Sequence, residues 1–220
     1  MPELNSSFHL RMFRKQQVMD SLPARIFRAI RDEIKHKNIY GLHWGDPDVA
    51  PPLKFIKEQY VLPFVDENQQ ALEIGPGGGR WTRYLLGFKK LYLVDYHAEI
   101  LTELKKNFDL PEMVFIKNNG ADFPSVPEKS IDFLFSFGTF VHLELHLIEA
   151  YLENMKAVLR PGANVVIQYS DMTKIMAQKT AGFVDNDPAR MRRMVGAVGY
   201  SLVAEDLTTL WHSSLIHFRA

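Results

Sequence analysis

Between Ala71 and Leu86 the chain reads ALEIGPGGGRWTRYLL: an apolar run, a carboxylate, a cluster of glycines, then a mixed stretch. Glu73 stands two residues before Gly75, and Pro76, Gly77, Gly78 and Gly79 follow. A strand that ends in a glycine turn and opens into a helix offers backbone N–H groups to a ligand, as nucleotide sites do. A dinucleotide fits this stretch poorly. Its fingerprint needs a small residue five positions after the first glycine, and that place holds Arg80. A carboxylate beside the turn repels a pyrophosphate and suits a ligand carrying an ammonium or sulfonium.

Other polar groups fall at matching places further on. Asp95 closes the apolar run LYLVD, where an acid can accept both hydroxyls of a ribose. Tyr96 follows it and can flank a purine. His142 lies beyond a fourth apolar run, at the expected start of a long helix, and is the best-placed general base. Its alternative is a capping or packing role. Tyr169 and Asp171, after a fifth run, can orient a second substrate.

These residues need a scaffold, and the pattern supplies one. ALEI, LYLVD, MVFI, IDFLFSF and ANVVIQYS are short apolar runs, as expected of parallel strands covered on both faces. Helix-like stretches separate them. RWTRYLL places Trp81, Tyr84 and Leu85 on one face, AEILTELKKNF does the same with Ile100, Leu101, Leu104 and Phe108, and HLELHLIEAYLENMKAVL carries Ile148, Leu152, Met155 and Leu159. Pro161-Gly162 is expected to stop the last of these. Asp187, Pro188 and Gly199 bracket one more helix. The tail reads as two strands around a turn near residues 212–214. The fold class is therefore α/β: a Rossmann-like, doubly wound, mostly parallel sheet with a C-terminal antiparallel pair. Upstream, Ile26, Ile30 and Ile34 mark an N-terminal helix. The expected division is a helical extension or lid over 1–60 and a ligand-binding domain over 61–220, with His43, Trp44 and Asp46 contributing to the lid.

Glu73-x-Gly75-x-Gly77-x-Gly79 resembles the first motif of class I S-adenosylmethionine-dependent methyltransferases. NNGADFP, SIDFLFSFGTFVHL and VLRPGANVVI resemble later motifs of that family, so the likeness runs from about Ala71 to Ser170. The resemblance implies S-adenosyl-L-methionine as cofactor and S-adenosyl-L-homocysteine as product. It implies that Gly75, Pro76, Gly77, Gly78, Gly79 and Trp81 lie along the methionyl and ribose parts, with Glu73 helping to hold the amino group. Asp95 would take the ribose and Tyr96 flank the adenine. Asn119, Gly120, Ala121 and Asp122 would meet the adenine, and Ser136, Phe137 and Gly138 the methionyl end. Metal-dependent relatives place an aspartate after the fourth strand; Ser136 stands there, so no catalytic metal is expected. Asp132 is expected to be structural.

Composition bounds the partners. Formal net charge is zero and no broad basic tract accompanies the site, so nucleic acid is not the expected acceptor. The absence of cysteine removes disulfides and thiolate chemistry and fits a cytoplasmic setting. No apolar run approaches the roughly 20 residues that span a bilayer. The expected activity is methyl transfer to a small molecule, with oxygen mildly preferred as acceptor because of His142. A non-catalytic cofactor-binding module and an NAD(P)-dependent oxidoreductase stand as alternatives.

Overall fold

The computed structural model describes residue 39 and residues 41–220. The expected N-terminal helix with Ile26, Ile30 and Ile34 lies outside the described residues, as does the side chain of His43. Seven strands form one sheet: β1 (Gln70–Ile74), β2 (Lys90–Asp95), β3 (Met113–Lys117), β4 (Ile131–Ser136), β5 (Leu159–Ser170), β6 (Ser201–Asp206) and β7 (Ser213–Arg219). Their order is β3-β2-β1-β4-β5-β7-β6. The first five run parallel, and β7 enters antiparallel between β5 and β6. The helices are α1 (Pro51–Tyr60), α2 (Ala98–Asn107), α3 (Leu145–Val158), the short α4 (Ile175–Gln178) and α5 (Pro188–Val198).

Alternation along the strands explains why this sheet is covered twice. Leu91 and Leu93 point into one core with Leu53 and Ile56 of α1 and Leu101 and Leu104 of α2. Tyr92 and Val94 point into the opposite core with Ile148, Leu152 and Met155 of α3 and Met191 and Val195 of α5. Chain order reverses between β1 and β4, so their carboxyl ends open a crevice, with Ile74 level with Ser136 and Val94. Asp132 is structural as expected: its carboxylate accepts from Gln70 N at 2.8 Å and from Arg160 at 3.0 Å. Asp187 caps α5 through Arg190 N at 2.8 Å, and Gly199 ends it with φ 93°.

Two elements differ from expectation. Residues 80–86 make only a 3-10 turn, Thr82–Tyr84, and no helix. Every residue from Gly78 to Phe88 is buried, so the segment has no solvent face of the kind an amphipathic helix needs. α3 begins at Leu145 and ends at Val158, which leaves His142 in the loop before it and puts Leu159 in β5, opposite Ile131. Arg160 precedes a proline and is held extended, so the chain turns into the strand before Pro161-Gly162 is reached. Among the described residues no helix is long and apolar enough to cross a membrane.

Candidate active site

The glycine turn after β1 is shaped by close approach. Gly75, Gly77 and Gly79 have φ of 69°, 56° and 95°, a region that side chains disfavour. A Cβ on Gly75 would lie 1.8 Å from Thr139 Oγ1. Thr139 and Ser136 both donate hydroxyl hydrogens to the Ile74 carbonyl, at 3.4 and 2.9 Å. The turn is thus clamped to the end of β4. Gly79 serves a different purpose, since its Cβ would strike the Phe108 ring at 2.2 Å.

Above the turn opens a cavity of about 1080 Å³. Gly75, Pro76, Gly77 and Trp81 line it from the β1 side, and Asp95 and Tyr96 from the end of β2. Asn119 and Gly120 line it after β3, Phe137 and Gly138 after β4, and His142 beyond them. Six of the expected residues stand behind this wall. Glu73 is 2% exposed, and Thr82 Oγ1 donates to its Oε2 at 2.6 Å. Burial raises its pKa to about 8, so the carboxyl is largely protonated at neutral pH. Gly78 and Gly79 pack beneath the turn. Asp122 Oδ1 accepts from Asn119 N at 2.8 Å, and the Ala121 carbonyl accepts from Asn154 at 3.0 Å, so both residues shape the loop after β3. Ser136 is fully buried in its bond to Ile74.

Asp95 and Arg80 are the charged carboxylate and guanidinium of the cavity wall. One oxygen of Asp95 accepts from His97 N at 2.8 Å; burial raises its pKa. Arg80 is 8% exposed, and its guanidinium lies 5.3 Å from the centroid of Phe137. Burial, then the neighbouring Arg83, lowers its pKa to about 10. Arg83 is itself wholly buried in an ion-pair cluster, bridging Asp46 and, at 3.8 Å, Asp48, which Lys57 meets at 2.7 Å. Asp46 therefore anchors its loop to the 3-10 turn, while its neighbour Trp44 reaches the cavity.

The far end of the cavity is apolar. Leu143, Leu147, Phe183 and Leu210 line it, together with His142 and His212. His142 Nδ1 lies 2.8 Å from the Gly182 carbonyl. Phe183 stands edge-on between the two imidazoles, 5.5 Å from His142 and 5.4 Å from His212. Burial, then Lys174, lowers the pKa of His212. Tyr169 and Asp171 do not reach the cavity. Asp171 is 1% exposed, accepting from Thr173 N at 3.1 Å, and from Ser214 Oγ at 2.6 Å. It binds the loop after β5 to β7.

Several wall residues escape the sequence reading, Arg80, Thr139, Tyr151 and Gln168 among them. Arg80 serves there only to exclude a dinucleotide. Tyr151 of α3 and Gln168 of β5 carry no local motif. Gln168 accepts from Gly138 N at 2.7 Å and donates to Ser213 Oγ at 2.7 Å, tying the β4 loop to β7.

Residues 71–162 match a family model described as a methyltransferase domain. No curated protein matches the sequence significantly. Similar solved structures include an S-adenosylmethionine-dependent methyltransferase from Mesorhizobium loti, with 12% identity and a TM-score of 0.65 over 79% of this chain and 100% of that one. The DhpI–SAH complex gives 18% identity and a TM-score of 0.62, covering 93% and 97%. The N-methyltransferase NodS from Bradyrhizobium japonicum gives 14% and 0.60, covering 78% and 98%. At these identities the likeness is one of fold.

Proposed function

We propose that the chain is a class I S-adenosylmethionine-dependent methyltransferase, residues 71–162 matching the methyltransferase-domain model, and that it methylates a small, uncharged, apolar acceptor at oxygen. The observation that carries this reading is His142. Its Nδ1 is engaged by a backbone carbonyl, which leaves Nε2 with the lone pair, in the same cavity as the glycine turn and Asp95.

The wall fits the cofactor. Bare backbone at Gly75–Gly77 allows close approach, Asp95 keeps an oxygen for ribose hydroxyls, and Tyr96 with Asn119 and Gly120 offers a bed for adenine. Phe137 and Gly138 lie where the methionyl part would run. When bound, S-adenosylmethionine supplies a methyl group on a sulfonium, open to in-line attack. Leu143, Leu147, Phe183 and Leu210 would hold an apolar acceptor and exclude water. No Lys, Arg, Asp or Glu lines that end among the described residues, which favours an uncharged acceptor. His142 Nε2 would take the hydroxyl proton as the new C–O bond forms. Trp44, with Thr180, Ala181 and Phe183 of the 171–186 loop, would close the pocket.

The test is product formation. Purified protein with S-adenosylmethionine is offered neutral phenols, neutral amines and carboxylates, and S-adenosylhomocysteine is measured. Turnover with a phenol is expected. Turnover with amines alone would refute oxygen as acceptor, and silence with every class would make the protein a cofactor-binding module.

A further inference from the structure

His212 lines the apolar end of the cavity, yet removal of the acceptor's proton by His142 does not use it. It lies in the loop between β6 and β7. Phe183 touches both imidazoles, at 5.5 Å for His142 and 5.4 Å for His212. The two ring centroids are therefore no further apart than those distances laid end to end, within reach of one small molecule. The loop that carries His212 is pinned on both flanks. Lys174 Nζ donates to the Leu210 carbonyl at 2.8 Å and to the Ser213 carbonyl at 2.7 Å.

The two imidazoles offer a ligand opposite halves of a hydrogen bond. His142 gives its Nδ1 hydrogen to the Gly182 carbonyl and keeps a lone pair at Nε2. His212 has a buried Nδ1 that hydrogen-bonds to no described residue. A buried N–H without an acceptor is rarer than a buried acceptor without a donor, so the favoured neutral tautomer of His212 carries its hydrogen at Nε2. Burial, then Lys174, disfavours the charged ring. One acceptor and one neutral donor thus stand among Leu143, Leu147, Phe183 and Leu210. A few polar groups on apolar walls are what fixes the orientation of a small ligand. We propose that His212 selects the acceptor: its Nε2–H donates to a second, neutral oxygen, a carbonyl, ether or hydroxyl, carried apart from the hydroxyl that His142 deprotonates. This rests on the placing of a hydroxyl acceptor at this end of the cavity in the preceding section. A ligand lacking that oxygen would leave the buried donor unpaired, which is how a hydrogen-bonding site rejects an analogue. The bond lies away from the reacting oxygen and is made equally in ground and transition states, so it acts on KM and not on kcat.

The test uses matched phenols: a hydroxyphenyl methyl ketone and the ethylphenol in which a methylene replaces the carbonyl, each as meta and para isomers. S-adenosylhomocysteine formation by the full chain is followed. Wild type should prefer a ketone to its ethyl partner by about 10-fold or more in kcat/KM. His212→Phe keeps a ring and loses the donor, so the two values should converge through KM. His212→Leu loses the donor with a different shape and covers a folding failure of the first variant. Thermal melts and S-adenosylhomocysteine calorimetry check fold and cofactor site in both. Comparing ratios between wild type and variant cancels the different acidities of the two phenols. A preference that survives the loss of the donor would make His212 a packing residue and overturn the proposal, and so would a change confined to kcat. Wild type that turns over both phenols alike overturns the proposal alone. Wild type that turns over neither brings down the hydroxyl acceptor as well.

Discussion

Nδ1 of His142 and the carbonyl oxygen of Gly182 stand 2.8 Å apart, and the contact joins the loop before α3 to the segment after α4. A carbonyl only accepts, so Nδ1 carries the hydrogen and Nε2 the lone pair. Phe183 meets the imidazole edge-on at 5.5 Å. In the neutral ring the Gly182 carbonyl therefore selects the tautomer.

His142→Gln should lower turnover by roughly 10²-fold or more if Nε2 takes the acceptor's proton. Affinity for S-adenosylhomocysteine should change little, because His142 is assigned to the acceptor and not to the cofactor. Steady-state rates and calorimetry read the two quantities separately. A near-normal rate would return His142 to packing against Phe183.

Asp95→Ala should weaken cofactor binding by roughly 1.5–3 kcal/mol, the scale of hydrogen bonds to a charged group. The side chain accepts from backbone amides of its own loop, His97 N at 2.8 Å among them, so the fold should survive the change. Unaltered affinity in calorimetry would remove Asp95 from the ribose.

Gly75→Ala combines two strains. The position has φ 69°, and the new methyl would overlap Thr139 Oγ1 at 1.8 Å. Backbone strain alone costs about 1–3 kcal/mol. Adding Thr139→Ala removes the hydroxyl overlap and should recover part of the loss in urea unfolding, but not the backbone part. The Cβ of residue 139 remains 2.9 Å from the new methyl, so recovery should be partial; full recovery would mean that the backbone was not strained, and no recovery that the hydroxyl overlap was not the obstacle.

Much of the scaffold could be read from periodicity because packing and pattern agree there. Leu91 to Val94 alternate between two cores, and an apolar run is what a doubly covered strand requires. The stretch from Arg80 to Leu86 misled because its apolar spacing suits a helix. Arg83 and Thr82, the polar residues that should have marked its wet face, are buried in pairings with Asp46 and Glu73. Such pairings join distant parts of the chain and leave no local trace. The same holds for the site. Asp95 is identifiable as the acid that closes β2, whereas Gln168, near the end of β5, is tied to Gly138 and Ser213 by contacts that no local motif announces.

Glu73 makes the protein's stability depend on pH in a definite direction. Burial raises its pKa from 4.5 to about 8 in the folded state. Between those values the native state keeps a proton that the unfolded chain has lost. Stability from this group is therefore fully present below the unfolded value and falls as pH rises towards 8, by at most about 1.4 kcal/mol per pH unit. Above that range the contribution is flat. Glu73→Gln stays neutral throughout and can still accept from Thr82, so its profile should lack this slope. The difference between wild type and variant, from urea unfolding at several pH values, cancels the other titrating groups. Parallel profiles would mean that Glu73 is ionised in the fold. A ligand ammonium held by this carboxylate would favour its charged form, so cofactor binding at pH 7 should then release close to one proton. Calorimetry in buffers of different ionisation enthalpy measures that proton, and a buffer-independent enthalpy would show that Glu73 stays protonated and supports the turn only through Thr82.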